Sequence, residues 1–172
     1  MLLIYTPTIN NRINYIFNLI FTQLLGIDFS LTTNKEDFIN SEGPKINYSQ
    51  HKFSDEIFFC CNDLLFESGI KAKEMTFIEY SDTKAFFPVY NKNSALPFDP
   101  FAASFYMLSR YEEYLPYIKD SYGRFHAKES LALKNGFLKK PLVNIWARKI
   151  GKILNEKYNE LKPVKRNFKH IP

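Results

Sequence analysis

The chain has 172 residues, which is enough for one domain with a substantial core and short for two. Its hydrophobic share of 45% and charged share of 24% are ordinary values for a globular protein. The net charge of +5 is concentrated in residues 139–172, which carry ten Lys or Arg against two Glu.

This basic segment has two interpretations. It can bind phosphate or nucleic acid, or it can be the solvated face of a helix followed by a linker. No aromatic-interleaved RNA motif, zinc finger or helix-turn-helix pattern accompanies it, which favours the solvated face. We therefore expect no nucleic-acid partner.

Aromatic residues make up 17% of the chain, with 17 Phe and 11 Tyr. Because aromatic rings bury large areas and Tyr hydroxyls need partners, this composition favours a Phe-rich core with a rim of Tyr. Exposed aromatic faces would also suit a sugar-binding surface, although core packing is the commoner cause.

The cysteines and the N-terminus indicate the compartment. Cys60 and Cys61 are neighbours that would point to opposite faces of a strand, so we expect free buried thiols in a reducing compartment. Nothing at metal-ligand spacing accompanies them, and no metal or other cofactor is predicted. No secretory signal and no segment long enough to span a bilayer is present, so we expect a cytoplasmic chain without a membrane span.

The first half of the chain alternates between strand and helix patterns. Residues 2–6 form an apolar run typical of a buried strand, and Thr8 or Asn10 can cap a helix over residues 11–25. The segment 56–61 is apolar at its centre, as expected for a strand covered on both faces. The other predicted strands are residues 28–32, 45–48, 75–80 and 85–90, with a hairpin turn at 81–83.

The order of these elements predicts an α/β fold, a single domain with a mixed β-sheet of about five to six strands and three or so helices packed on it. Residues 1–162 would make up this domain, with the last helix running from Pro141 to about residue 161. Residues 163–172 alternate like an incoming strand, and we expect a linker or the first strand of a downstream domain there. A stop codon directly after Pro172 would contradict this expectation.

The most informative segment is residues 99–116, which the pattern predicts to be one amphipathic helix. Asp99 fits the N-cap, and Pro100 fits the first helical position, where its missing N–H costs nothing. The predicted apolar face, at i, i+4, i+7 spacing, consists of Phe101, Phe105, Leu108 and Tyr111. The helix would deliver three charged side chains at its C-terminal end, Arg110, Glu112 and Glu113.

Two interpretations of this charged cluster stay open. It is a salt-bridge network that anchors the helix, or it is a polar site in which Arg110 binds an anion or a sugar hydroxyl and a carboxylate accepts hydrogen bonds. The full candidate cluster consists of Arg110, Glu112, Glu113, Asp120 and Arg124. A bond-cleaving role is disfavoured, because adjacent helical residues point about 100° apart and are badly placed to flank one glycosidic bond.

No sequence motif indicates catalysis. The chain holds no phosphate-binding loop, dinucleotide fingerprint, zinc-protease motif, serine-hydrolase elbow or C-x-x-C pair. His51, His126 and His170 are isolated in sequence, and Ser104 and Ser109 have no nearby base. No catalytic, cofactor-binding or metal-binding residue is therefore predicted in this chain.

Three segments, residues 91–114, 120–125 and 141–146, resemble the N-terminal domain found ahead of polysaccharide-deacetylase-like (NodB-homology) domains in Bacteroidetes proteins. The resemblance covers essentially the whole chain, and Ser-Arg-Tyr-Glu-Glu at 109–113 is its most specific motif. In that family the segment resembling residues 168–172 leads into the first strand of the deacetylase barrel, which supplies the metal-binding aspartates. The resemblance implies that a divalent metal such as zinc would belong to that downstream domain.

Two functions from different classes follow. In the first, the chain is a non-catalytic accessory domain of a polysaccharide deacetylase, and it helps to shape or stabilise the carbohydrate-processing domain of the same polypeptide. In the second, it is a carbohydrate-binding or hydrolytic module in its own right that uses Arg110, Glu112, Glu113 and neighbouring Tyr residues. The expected partners are the downstream deacetylase-like domain and carbohydrate.

Overall fold

Four short parallel strands form the central sheet of the computed structural model, which describes residues 1–161. β1 (Leu2–Tyr5) lies between β2 (Phe29–Thr32) and β3 (Lys45–Ser49), and β4 (Ile57–Cys60) pairs with β3. The order across the sheet is therefore β2-β1-β3-β4. The predicted linker or strand at 163–172 lies outside the described residues.

A long helical segment follows β1, as predicted. It consists of α1 (Asn11–Phe17) and a π-helical continuation, Asn18–Leu25. The side chain of Asn10 caps α1 by accepting a hydrogen bond from the N–H of Ile13 at 3.0 Å. The helix ends at Gly26, whose φ of 67° lies in the left-handed region that a glycine adopts without cost.

The remaining elements surround this sheet. They are α2 (Lys35–Asn40), the antiparallel hairpin of β5 (Phe77–Tyr80) and β6 (Thr83–Phe86), α3 (Pro100–Leu108), α4 (Leu131–Lys134) and α5 (Leu142–Lys157). β6 begins two residues earlier than predicted, because Ser81 and Asp82 alone make the turn and Ser81 takes a φ of 55°. The predicted α/β class is confirmed, with the six strands of residues 1–161 divided between two sheets.

Phenylalanine dominates the core, as the composition predicts. The ring of Phe101 on α3 lies 4.9 Å from that of Phe17 and 5.4 Å from that of Phe59, measured between ring centroids. A second cluster joins Phe86 of the hairpin to Trp146 of α5, with centroids 5.7 Å apart. These contacts fix α3 and α5 against the sheet and the hairpin. No helix within residues 1–161 is long and apolar enough to cross a bilayer.

α5 carries four of the six Lys and Arg residues in the described part of the basic segment. It buries one face, consisting of Leu142, Val143, Trp146, Ala147, Ile150, Gly151 and Leu154. Arg148, Lys149 and Lys152 stay in solvent on the other face. Lys157 forms an exposed ion pair with Asp55 at 2.9 Å. The positive charges of α5 thus form a solvated helix face, which is the arrangement that we favoured from the sequence.

Candidate functional site

α3 is anchored at its N-terminus by Asp99, which is fully buried. As predicted for an N-cap, its Oδ1 accepts hydrogen bonds from the N–H groups of Phe101 and Ala102 at 2.9 and 3.0 Å. Its Oδ2 accepts from the Tyr48 hydroxyl at 2.7 Å and from the N–H of Asn62 at 2.6 Å. Burial raises the pKa of Asp99 to about 6 against the opposing effect of these hydrogen bonds. This carboxyl group therefore ties α3 to the ends of β3 and β4.

α3 ends at Leu108, so the prediction of one helix over residues 99–116 is wrong. Ser109 closes the last turn, Arg110 takes left-handed angles of φ 52° and ψ 42°, and a 3₁₀ turn follows over Tyr111–Tyr114. An arginine is unusual at this position, because its Cβ costs roughly 1–2 kcal/mol in a region that glycine favours. Leu108, predicted on the apolar face, is the last residue of α3 and is 38% exposed.

Tyr111 fixes the chain just after this break. Its ring is buried, and its hydroxyl oxygen accepts a hydrogen bond from the N–H of Lys71 at 2.8 Å. The guanidinium of Arg12 lies 5.8 Å from the centre of the Tyr111 ring and 5.3 Å from that of Phe105, and it donates to the Leu64 carbonyl at 2.6 Å. These contacts anchor the residue that directly follows Arg110.

The glutamates after the break have different partners. Glu113 pairs with Arg110, with 2.5 Å between Oε1 and the guanidinium Nε. Glu112 is half-buried, and its Oε2 accepts a hydrogen bond from the N–H of Leu131, the first residue of α4, at 3.0 Å. Burial raises the pKa of Glu112, the Leu131 hydrogen bond opposes the rise, and the charge of Glu113 adds to it. Each carboxylate thus has its own structural contact.

A second charged pair lies in the loop after the 3₁₀ turn. Asp120 Oδ1 accepts hydrogen bonds from the N–H groups of Tyr122 and Arg124 at 2.8 and 2.9 Å, and Gly123 supplies a φ of 76°. Asp120 Oδ2 lies 3.1 Å from Nη2 of Arg124, whose guanidinium stacks 4.8 Å from the centre of the Tyr122 ring. The hydrogen bond from the Arg124 N–H is the main reason that the pKa of Asp120 is lowered. The loop therefore holds its ion pair in one arrangement.

Both ion pairs line one open cleft of about 680 Å³, which we call the polar cleft. Its wall includes Arg110, Glu113, Asp120, Arg124, Tyr117 and His126. The Nδ1 atom of His126 accepts a hydrogen bond from the N–H of Lys128 at 2.9 Å, so the neutral ring carries its proton on Nε2. Four of the five residues of the predicted cluster meet in this cleft, and the fifth, Glu112, lines an adjoining cavity of about 330 Å³.

The polar cleft is balanced in charge, with two guanidinium and two carboxylate groups. Because each arginine already has a carboxylate partner, an incoming anion would have to compete with that partner. The remaining N–H groups and carboxylate lone pairs place donors beside acceptors, which suits a ligand whose groups both donate and accept. Residues 1–161 contain no group of three or more His, Cys, Asp or Glu side chains that could hold a metal ion.

Sequence reasoning missed the buried Glu56. Its Oε1 accepts hydrogen bonds from the Asn47 side chain at 2.8 Å and the N–H of Phe53 at 2.7 Å, and its Oε2 accepts from the N–H of Ser54 at 2.7 Å. Burial alone would raise the pKa of Glu56, but these hydrogen bonds outweigh it and lower the pKa. A glutamate ahead of an apolar strand carries no sequence signal for such a role, because one partner, Asn47, lies on β3 and the other two are backbone N–H groups of the loop between β3 and β4.

The cysteines and His51 lie outside the polar cleft. Cys60 and Cys61 are buried free thiols, as predicted. Burial raises the pKa of Cys61 to about 12, so its thiolate is scarce at neutral pH. The side-chain amide of Gln50 donates to the Cys61 carbonyl at 2.8 Å, and the His51 carbonyl accepts from the Asn47 side chain at 2.8 Å. These contacts order the turn after β3.

Comparison with known proteins gives a family without an activity. The model of a family of unknown function, DUF7033, matches residues 2–159 of the chain. No curated protein and no solved structure matches the chain at a significant level. A functional interpretation therefore has to come from the geometry of the polar cleft.

Proposed function

The chain belongs to this family of unknown function, and we propose that it is a non-catalytic accessory domain that binds carbohydrate in its polar cleft. One observation carries the proposal: Arg110 pairs with Glu113, and Arg124 pairs with Asp120, around a single open cleft. Each such ion pair places the N–H donors of a guanidinium next to the acceptor oxygens of a carboxylate. Two neighbouring sugar hydroxyls can use both at once, because each hydroxyl donates and accepts.

The unused hydrogen-bonding capacity of the cleft supports this proposal. Arg110 uses its Nε for Glu113, which leaves both Nη groups as donors, and its side chain is 71% exposed. The charge of each guanidinium is already balanced by a carboxylate, so the cleft favours a neutral polyol over a phosphate or a sulfate. Glu112 and Glu113 are each held by a separate partner, which supports recognition rather than cleavage of a bond.

Aromatic rings border the same cleft. Tyr117 and Phe125 both line it and meet edge to face, with ring centroids 5.1 Å apart. Tyr122 does not line the cleft, but it is 80% exposed and its ring stacks on Arg124, which does. Exposed rings next to hydrogen-bonding groups match a sugar, whose ring has apolar C–H faces and a polar rim.

We further propose that the domain works beside a deacetylase-like carbohydrate-processing domain in the same polypeptide. The support is the resemblance of residues 91–114, 120–125 and 141–146 to the domains that precede such enzymes. A carbohydrate-binding domain in that position raises the effective concentration of the polymer at its neighbour. It would also help to shape or stabilise the processing domain, and any divalent metal such as zinc would belong to that processing domain.

Calorimetric titration of the 172-residue chain with neutral oligosaccharides and with their sulfated counterparts tests the binding proposal. We expect neutral glycans to bind more tightly than sulfated ones, and Arg110→Ala to weaken binding at least about tenfold, since a charged hydrogen bond is lost. Arg148→Ala is the matched control, because Arg148 is an exposed arginine on α5 outside the polar cleft. Wild-type binding by Arg110→Ala, or no binding of any neutral glycan, would contradict the proposal.

The accessory role needs the longer polypeptide. Removing residues 1–161 from it should reduce its solubility or alter its choice of substrate, and unchanged behaviour in both would contradict the role. Arg110→Ala in the same polypeptide should slow turnover of a polymer while leaving turnover of a short oligosaccharide unchanged. That difference separates polymer capture from a general loss of folding.

A further inference from the structure

A second cavity, of about 330 Å³, lies next to the polar cleft, and its lining is mainly apolar. Its apolar wall comes from β6, α3, α4 and the segment after α4, and includes Phe86, Tyr106, Met107, Leu131, Phe137 and Leu138. The rings of Phe86 and Phe137 stack nearly parallel, with centroids 6.4 Å apart and 14° between their planes. We call this space the apolar cavity.

The apolar cavity and the polar cleft share a wall. Arg110, Glu113, Phe125 and Ala127 line both of them. The Arg110–Glu113 ion pair therefore stands at the border, where one ligand can reach the hydroxyl-binding groups on one side and the apolar surface on the other. Leu138, which lines the cavity, is 52% exposed, so this side is open to solvent.

Glu112 adds a polar group to the apolar cavity. Its Oε2 accepts the hydrogen bond from Leu131, while its Oε1 accepts none from residues 1–161. This oxygen is reached by water rather than sealed in the core, so it is free to accept a hydrogen bond from a ligand. A ligand that covers the apolar wall and brings an O–H or N–H group to this point would donate to Oε1 in place of water.

From these three observations we infer that the ligand is a sugar carrying an apolar substituent, an alkyl, aryl or acyl group, with the substituent in the apolar cavity. The inference rests on the proposed function and names the substrate class for the same site. Burying the substituent removes apolar surface from water on both partners. The sugar ring stays in the polar cleft beside Arg110 and Glu113.

Calorimetric titration with methyl, butyl and hexyl glycosides of glucose, galactose, mannose and N-acetylglucosamine tests the inference. We expect affinity to rise roughly fourfold for each added methylene until the apolar cavity is full, which follows from the burial free energy of a methylene group. n-Hexanol serves as a probe without a sugar and should bind weakly. Equal affinities for the methyl and hexyl glycosides of every sugar would overturn the inference.

Ala132→Phe tests the location, because Ala132 lines the apolar cavity and a phenyl ring there would fill it. This variant should retain methyl-glycoside binding and lose the chain-length dependence. Leu133→Phe is the control: the neighbouring residue on α4 is 43% exposed and lies outside the lining, so the dependence should persist. If Ala132→Phe does not fold, Leu138→Glu places a charge at the exposed side of the cavity and should reduce the same dependence.

The outcomes separate this inference from the proposed function. If methyl glycosides bind and longer alkyl chains do not raise the affinity, the inference of an apolar substituent is overturned and the proposal of carbohydrate binding stands. Hexanol that binds as well as every hexyl glycoside would overturn carbohydrate binding instead. Chain-length dependence that survives in both Ala132→Phe and Leu138→Glu would place the substituent elsewhere and overturn the assignment of the cavity.

Discussion

Tyr48 donates its hydroxyl to the buried carboxyl group of Asp99 at 2.7 Å, and this bond joins β3 to the first residue before α3. The same Asp99 oxygen accepts a hydrogen bond from the N–H of Asn62, which lies two residues after the end of β4. α3 runs from this junction to the break at Arg110. The position of the first ion pair in the polar cleft therefore depends on a buried contact at the opposite end of the helix.

Asp99→Asn should change stability in a pH-dependent way. The folded pKa of about 6 lies above the ordinary value of 3.8, so the folded state holds the proton more tightly than the unfolded state does. The contribution of Asp99 is therefore fully present below about pH 4 and is lost as the pH rises through about 6. Urea unfolding measures the unfolding free energy of the wild type minus that of Asp99→Asn. This difference should fall by up to about 3 kcal/mol as the pH rises across that window.

Asp28→Asn is the control for this pH series. Asp28 is exposed and makes no side-chain hydrogen bond within the described residues. The unfolding free energy of Asp28→Asn should stay within about 0.5 kcal/mol of the wild-type value at every pH. A difference between wild type and Asp99→Asn that is constant from about pH 4 to about pH 7 would show that the Asp99 carboxyl titrates normally.

Glu56→Gln should have the opposite pH dependence. The pKa of Glu56 is lower in the folded state than in the unfolded state. The stability that Glu56 contributes is therefore present at a pH above its unfolded-state pKa, and it is lost as the pH falls through its folded-state pKa. At neutral pH an amide can replace only part of the hydrogen bonds to Asn47, Phe53 and Ser54, so we expect a loss of about 1–3 kcal/mol in unfolding free energy. Thermal unfolding at neutral and acidic pH measures it, and a loss that grows on acidification would contradict the role of Glu56.

Arg110→Gly should separate stability from binding. Glycine relieves the strain of the left-handed φ of 52°, while the lost ion pair with Glu113 is exposed on the arginine side and contributes little. We expect an unfolding free energy equal to the wild type or up to about 1 kcal/mol higher, together with at least a tenfold loss of glycan affinity. Urea unfolding and calorimetric titration give the two quantities.

Arg110→Ala is the matched comparison, because it removes the same side chain and keeps the conformational penalty. It should be about 1 kcal/mol less stable than Arg110→Gly. If the two variants are equally stable, the left-handed conformation is not strained. If Arg110→Gly binds glycans like the wild type, the Arg110 side chain takes no part in binding, which contradicts the proposed site.

The central part of the fold could be predicted from the sequence because local signals agree with the packing there. The strand predicted at 56–61 is apolar at its centre, and the residues of β4, Ile57–Cys60, are all buried. Asp99 followed by Pro100 marks a helix start, and α3 begins at Pro100. Capping and binary patterning are local properties, so they can be recognised without knowledge of the distant partners.

The end of α3 could not be predicted, because its cause is not local. No glycine or asparagine marks residue 110, and the spacing up to Tyr111 continues to look helical. Directly after the break, Tyr111 contacts Lys71 and Arg12, which are distant in sequence. The charged residues of the cleft were recognised by type, but their division into two ion pairs depends on this break and on the turn at Asp120.

Tyr111→Phe tests whether these distant contacts position the polar cleft. The change removes the hydroxyl that accepts the N–H of Lys71 and leaves that group without its partner, which should lower the unfolding free energy by about 1–2 kcal/mol. Because Tyr111 directly follows Arg110, we also expect the variant to bind neutral glycans several-fold more weakly although no cleft side chain is changed. Tyr114→Phe is the control, since Tyr114 is 68% exposed and makes no hydrogen bond through its hydroxyl within the described residues. If Tyr111→Phe loses stability but retains full affinity below its unfolding temperature, Tyr111 supports the fold alone and the cleft is positioned by other contacts.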